Sequence, residues 1–462
     1  MRTIITNGHI ITATCDFRGD ILIEGEQISA VGSPGIFATM QSDSALDAQG
    51  KYIFPGAIDV HTHMELPLPT TVASDDFETG TIAAACGGTT TIIDFANQQR
   101  GHSLVEALQS WHRKAEGKAV IDYGFHITIT DLASAPEEAM DEMIKAGVTT
   151  FKLLMAYPGT FMVDDETIYR VLRRSARLGG LVMVHAENGI TIDFIVREAV
   201  ASGHTAPIYH AHTRPAILEG EAAQRAITLA TLAEAPLYVV HVSCAHSLDA
   251  VAAARVKGLP VWGETCPQYL YLDDSCYVAS GFEGAKFVCT PPMRSEADKE
   301  ALWVGIQRRE LQVVSTDHAP FNFYGQKELG LRDFTKIPNG LPGIEHRVML
   351  LYKGVSEGKI GIQHFVDLVS TMPAKLFGLF PRKGTIAPGS DADLFIFDPE
   401  RTLTISAAIQ HQRVDYTPYE GMRVQGVPET VLLRGKVIVL NGEYVGGKGG
   451  GQFLVRKTFT AP

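Results

Sequence analysis

The sequence predicts an α/β fold: a TIM-type (β/α)8 barrel carrying a small β-sandwich domain formed from both chain ends. Three observations predict it. Eight short apolar, β-branched runs lie between positions 53 and 316. Alanine-rich amphipathic segments separate most of them, among them Glu219–Glu234 and Ser247–Lys257. Both termini change character to short strands with tight turns. The eight runs are Ile53–Val60, Thr90–Phe95, Tyr123–Ile129, Thr150–Met155, Leu181–Val184, Leu237–Val242, Pro260–Thr265 and Val313–Thr316. Continuously apolar strands separated by helices imply a parallel sheet covered on both faces. Eight of them suggest closure into a barrel rather than a doubly wound open sheet.

The N-terminal strands are Thr3–Ile5, Ile10–Thr12, Asp20–Ile23 and Gln27–Val31, punctuated by turns at Asn7-Gly8 and Glu24-Gly25. Near the other end, Asp393–Phe397, Glu429–Leu433 and Gly435–Val439 resemble them. Residues 1–52 plus 381–441 therefore read as one β-sandwich domain, with the barrel at 53–380 inserted between its halves. The tail, 442–462, has few apolar runs and is expected to be disordered or to lie on a neighbouring subunit.

Composition excludes several functions. The 462 residues include 52 acidic and 40 basic side chains, a net charge of −12. Phosphate binding needs a basic face, so nucleic acid is not an expected partner. No stretch reaches the ~20 apolar residues of a membrane helix, and the N-terminus lacks a signal-peptide core. The six cysteines are scattered, with no Cys-x-x-Cys pair. They read as reduced thiols of a cytoplasmic protein.

A barrel keeps its reactive groups at the C-terminal ends of its strands. The first run ends in His61-Thr62-His63. Residues i and i+2 of a strand point to one side, so both imidazoles can reach one ion. Lys152 lies inside the apolar fourth run. It is either paired with a buried carboxylate or has a lowered pKa. In the second case it can react with carbon dioxide to a carbamate, an anionic ligand able to bridge two cations. The fifth run ends at His185, the sixth reaches His241, and the eighth leads to Asp317. Each alone could be a satisfied core group. Five of eight strands ending in metal-competent residues point to a metal site.

This set resembles the ligands of the amidohydrolase superfamily in its two-metal, carboxylated-lysine form. The resemblance runs through the whole chain, including Pro55-Gly56-Ala57-Ile58-Asp59, Lys383-Gly384-Thr385-Ile386 and Gly389-Ser390-Asp391-Ala392-Asp393. It implies that His61 and His63 hold one metal with Asp317, and His185 and His241 the other. Lys152, as N6-carboxylysine, and a hydroxide would bridge the two. Zinc is the implied ion, with manganese or cobalt also compatible with these ligands. Asp317 would act as general base and then acid.

Within the superfamily the chain is similar to dihydropyrimidinases and hydantoinases. That similarity implies hydrolysis of a small cyclic amide, a dihydropyrimidine or 5-substituted hydantoin, to an N-carbamoyl amino acid. It makes Tyr157 the group that polarises the scissile carbonyl. It gives Thr290 and Asn339 to the ring imide, and Leu66, Leu154 and Phe161 to a hydrophobic lid. At the first imide position the family more often has serine, and at Leu154 an aromatic. Dihydroorotate hydrolases usually carry an arginine where this chain has Glu65, which would repel that substrate's carboxylate. An allantoinase-like ureide hydrolase and a noncatalytic dihydropyrimidinase-like scaffold are the alternatives. The full ligand set speaks against the scaffold. A homotetramer is the assembly the resemblance implies.

Overall fold

The computed structural model of the protein describes residues 1–132 and 137–462. Eight parallel strands run β1 (Ala57–Thr62), β2 (Thr89–Asn97), β3 (Asp122–Thr128), β4 (Thr150–Leu154), β5 (Leu181–His185), β6 (Leu237–Val239), β7 (Val261–Thr265) and β8 (Val313–Val314). Each pairs with the next in chain order, forming one curled sheet. Ile58, Val60, Ile93, Phe95, Leu181, Met183, Tyr238 and Val313 point inward and share one core. Their strand neighbours pack outward against the helices, as a period of two requires. The helix Asp165–Leu178 illustrates the outer layer. Asp164 caps it, Gly179 ends it at φ 68°, and Ile168, Val171, Leu172 and Ser175 form its buried stripe. The two helices expected from composition occupy Ala216–Leu232 and Ala245–Val256.

The curled sheet is joined across β1 and β8 by side chains more than by a ladder. Thr62 makes a parallel bridge to His318, and His63 N donates to His318 O at 2.8 Å. The fully buried Arg347 donates from one nitrogen to Ile58 O and Val314 O, 3.0 Å each. Asp59 accepts from His61 N and Thr316 N at 3.2 Å each, and from the Thr316 hydroxyl at 2.6 Å.

Several features depart from the expectation. The run Ile53–Val60 is two strands: Tyr52–Pro55 belongs to the terminal sheet, and the barrel starts at Ala57. Both halves are apolar because each faces a core, so the pattern shows no break. Gly56 makes the turn-off, where a Cβ would lie 2.1 Å from Thr90 Oγ1. Asn7-Gly8 is a bulge inside the continuous strand Arg2–Ile11, not a turn. Asn7 takes φ 60°, and a Cβ on Gly8 would meet Ile53.

The terminal domain is a nine-stranded, mainly antiparallel sheet. Tyr52–Pro55 joins its halves, pairing with His9–Ile10 on one side and Leu394–Phe397 on the other. The tail differs from the expectation as well, because it docks on its own barrel. Tyr123 N donates to Gln452 O, Leu454 N to Tyr123 O and Phe459 N to Gly179 O, at 2.7–2.9 Å. Leu454 enters the inner barrel core.

Asp122, at the start of β3, ties the parts together. It meets Lys383 Nζ at 2.6 Å, the Arg434 guanidinium and Gln452 N. Lys383 is buried and also contacts Asp393 at 2.5 Å and Asp391 at 3.1 Å. These contacts account structurally for the Lys383-Gly384 and Asp391–Asp393 segments. Removing one partner of a buried ion cluster leaves uncompensated charge. Lys383→Met is therefore expected to destabilise the protein by about 3–5 kcal/mol. Urea unfolding checks this, and an unchanged midpoint would mean the cluster does not hold barrel, sheet and tail together.

Candidate metal centre and active site

The C-terminal ends of the barrel strands bring the predicted ligands to one place. His61 lies near the end of β1 and His63 just beyond it, with ring centroids 5.3 Å apart. Their Nε2 atoms lie 3.2 and 3.0 Å from Asp317 Oδ1. His185, which ends β5, faces His241 with Nδ1 2.9 Å from Nε2. One ligand atom each from His61, His241 and Asp317 fall within 4.8 Å of one another. Phe95 forms the floor, 4.6 Å from the His61 ring and 5.0 Å from the His63 ring.

Lys152, on β4, points its Nζ over the Phe95 ring at 5.2 Å. The side chain is buried, and the amine has no hydrogen-bond partner. Burial pulls its pKa down to about 8, while Glu264 and Asp317 pull it back up. Of the two readings of Lys152, the paired lysine is therefore not the arrangement seen. A lone buried amine, two imidazole nitrogens turned on one another and a carboxylate shared by two histidines form a donor set that fits divalent cations. Burial also drives His61 and His241 well below the ordinary histidine range, keeping them neutral as ligation requires.

Carboxylates hold the far sides of these rings. Glu264, at 0% exposure on β7, bonds His61 Nδ1, leaving Nε2 to face the cluster. It also accepts from Tyr238 at 2.8 Å and from His241 N at 3.3 Å. Burial pushes its carboxyl up to about 7. Glu187 takes His185 Nε2 at 2.8 Å. Burial opposes its charge, but Arg214 and His185 hold it down to about 2. Asp94 accepts from Thr62 Oγ1, Met64 N and Trp111 Nε1 at 2.8–2.9 Å, bracing the turn after β1. The sequence reading assigned no role to Glu264, Glu187 or Asp94. The available signal was the one that singled out Lys152, an ionisable residue in or just after an apolar strand.

Backbone geometry aims several of these groups. His241, Tyr157 and Asp317 take φ of 38°, 67° and 54°. Left-handed φ at non-glycine residues costs energy and clusters at functional sites. Tyr157, three residues beyond β4, lies 5.7 Å ring to ring from His185 and 6.4 Å from Phe161. Thr290 and Asn339 lie near enough to its hydroxyl to draw its pKa down against the burial that raises it. These three polar residues therefore sit together beside the ligand cluster. Leu154 is half-buried where β4 ends, bridged to Met162. Leu66 packs with Leu68 against Ala73, Ala319 and Phe321. The Glu65 carboxylate is paired with Lys118 at 3.0 Å.

Comparison with known proteins agrees with this geometry. Residues 52–438 match the amidohydrolase family. A D-hydantoinase of Geobacillus stearothermophilus is 52% identical over 463 residues, covering 100% of this chain and 98% of that protein. A D-hydantoinase of Streptomyces coelicolor is 51% identical over 459 residues, covering 99% and 98%. The crystal structure of a dihydropyrimidinase from Brevibacillus agri superposes with a TM-score of 0.97 at 50% identity, covering 100% of both chains. By family model, full-length identity and fold, the chain belongs to the amidohydrolase family, within its hydantoinase and dihydropyrimidinase group.

Proposed function

We propose that the protein hydrolyses the cyclic amide bond of dihydropyrimidines and 5-substituted hydantoins, giving N-carbamoyl amino acids. The observation that carries this reading is Lys152, buried without a hydrogen-bond partner beside the cluster of His61, His241 and Asp317. Full-length identity of about half to D-hydantoinases supports the substrate class. His61, His63 and Asp317 would hold one divalent ion, and His185 and His241 the other. Carboxylated Lys152 would supply the shared anionic ligand. Zinc suits the set, and manganese or cobalt are accepted by the same donors. Ions bound there lower the pKa of a water to about 7 and polarise the ring carbonyl.

The remaining steps fall to side chains. Asp317 accepts the proton of the attacking water and returns it to the ring nitrogen as the C–N bond breaks. Tyr157 donates a hydrogen bond from its hydroxyl to the carbonyl oxygen as negative charge develops. Burial raises the Tyr157 pKa, so the hydroxyl remains a donor at neutral pH. Thr290 and Asn339 hold the imide edge. Leu66, Leu154 and Phe161 enclose the 5-substituent. Six free thiols, four of them buried, suit a reducing cytoplasm. For assembly we propose a homotetramer, which the exposed Ile190 and Phe194 on the helix Gly189–Ala201 would suit.

Zinc-loaded protein should hydrolyse dihydrouracil or a 5-substituted hydantoin, and lose that activity on chelation or with Lys152→Ala. Turnover confined to allantoin or dihydroorotate would overturn the substrate assignment. Glu264→Gln should weaken metal binding about 10–100-fold, because it removes the carboxylate that orients His61. Competition with a chromophoric chelator measures this without an activity assay, and equal affinities would refute the orienting role. Leu154→Phe should shift preference among 5-substituents. An unchanged ranking of kcat/KM across a hydantoin series would remove Leu154 from the lid.

A further inference from the structure

Lys327 begins the short 3-10 turn Lys327–Gly330 and is fully buried. None of the steps above uses it. Burying an ammonium is costly unless its donors are satisfied. Here Nζ donates to three main-chain carbonyls: Val288 at 2.8 Å, Pro338 at 2.7 Å and Gly340 at 2.8 Å. Three N–H groups meet three acceptors, a match that only the protonated amine makes. Burial pulls its pKa down to about 7, and the carbonyl dipoles oppose that pull.

The three carbonyls come from two separate segments. Val288 stands two residues before Thr290, while Pro338 and Gly340 flank Asn339. One backbone bond, Gly340 N to Val288 O at 3.1 Å, also joins them. Val288 O therefore accepts from both the lysine and the opposite segment. The second segment has little freedom to shift, since a Cβ on Gly340 would lie 2.4 Å from Ala319 O. Ala319 itself follows Asp317 by two residues. His210 braces the first segment from elsewhere, its Nε2 2.8 Å from Cys289 O and 3.2 Å from Thr290 Oγ1.

We propose that Lys327 is a positioning residue for substrate recognition: its ammonium sets the spacing between the segments carrying Thr290 and Asn339, and so the fit of the ring imide beside Tyr157. This rests on the substrate contacts proposed above for those two residues. Lys327 itself touches neither substrate nor ligand cluster. It shapes a surface used alike by bound substrate and transition state, so its loss falls on KM and not on kcat.

The test uses full-length, metal-loaded enzyme. Lys327→Met removes every donor, and Lys327→Gln keeps two N–H groups on a shorter stem. KM for a 5-substituted hydantoin is expected to rise about tenfold or more in Lys327→Met and less in Lys327→Gln, with kcat within about threefold. Metal content per chain stays the same. Amide hydrogen exchange at positions 288–290 and 339–341 is expected to rise in both segments together. Unchanged KM, or a fall in kcat and metal content at constant KM, would overturn the proposal. Should Lys327→Met fail to fold, the same comparison on Lys327→Gln decides. The exchange measurement needs no substrate. If the two segments loosen together while the wild type is inactive on hydantoins and dihydrouracil, the clamp stands and the substrate assignment falls.

Discussion

The active-site cluster depends on one constraint, the joining of β1 to β8. His61 lies in the first strand, His63 just after it, and Asp317 follows the last, so three of the proposed ligands lie across that seam. A regular ladder of hydrogen bonds does not close it. Asp59 instead takes the backbone N–H of His61 on one side and of Thr316 on the other. Arg347 spans Ile58 O and Val314 O beneath them. Both side chains are fully buried, and burial opposes both charges, raising the Asp59 pKa and lowering that of Arg347. The two charges offset one another, with Arg347 Nε 3.7 Å from Asp59 Oδ2, and both satisfy main-chain groups that the interrupted ladder leaves unpaired. The same contacts bring the Nε2 atoms of His61 and His63 onto one Asp317 oxygen.

Buried cations elsewhere in the molecule show what is unusual about Lys152. Lys383 is surrounded by three aspartates, and Lys327 by three carbonyls. Arg294 meets Glu219 at 2.9 Å and the Ser243 hydroxyl at 3.0 Å. Lys152 has none of these and rests over an aromatic ring. Burial brings the pKa of this amine down to about 8, so a larger fraction is neutral near pH 7 than at an exposed lysine. The neutral amine is a nucleophile placed among metal-competent side chains, which is the property a carbamate-forming lysine needs. The chemistry proposed for Lys152 is thus placed where the pairing seen at the other cations is withheld.

The convergence of the proposed ligands was legible in the sequence because strand geometry places them by rule. A period of two puts His61 and His63 on one side, and barrel topology puts strand ends at one mouth. Less was legible where a second core or a distant contact decides the outcome. The break at Gly56 is invisible because Ile53 and Ile58 are equally apolar while facing different cores. The tail read as disordered or as lying on a neighbouring subunit, since its anchors are main-chain bonds to β3 and the helix layer together with single side chains, Phe453, Leu454, Arg456 and Phe459, that form no apolar run. Glu264 and Asp94 sat in apolar runs, the same anomaly as Lys152, but without histidine spacing to draw attention to them. Lys327 had no such signal, because its partners are carbonyls, and carbonyls leave no trace in a side-chain pattern.

That difference follows a division of labour in the fold. The ligand cluster is built from strand ends and braced by carboxylates on neighbouring strands, Glu264 on β7 and Asp94 on β2. The proposed substrate groups stand on loops: Tyr157 after β4, Thr290 after β7 and Asn339 after β8. Loops tolerate substitution, so threonine for serine at position 290 or leucine for an aromatic at position 154 can alter the pocket without disturbing the ligands. Loops also need holding, and side chains alone do not hold them. Lys327 and His210 act on main-chain carbonyls, which every substitution at 290 or 339 leaves in place. A clamp of that kind lets the residues that read the substrate vary while the distance between them stays fixed.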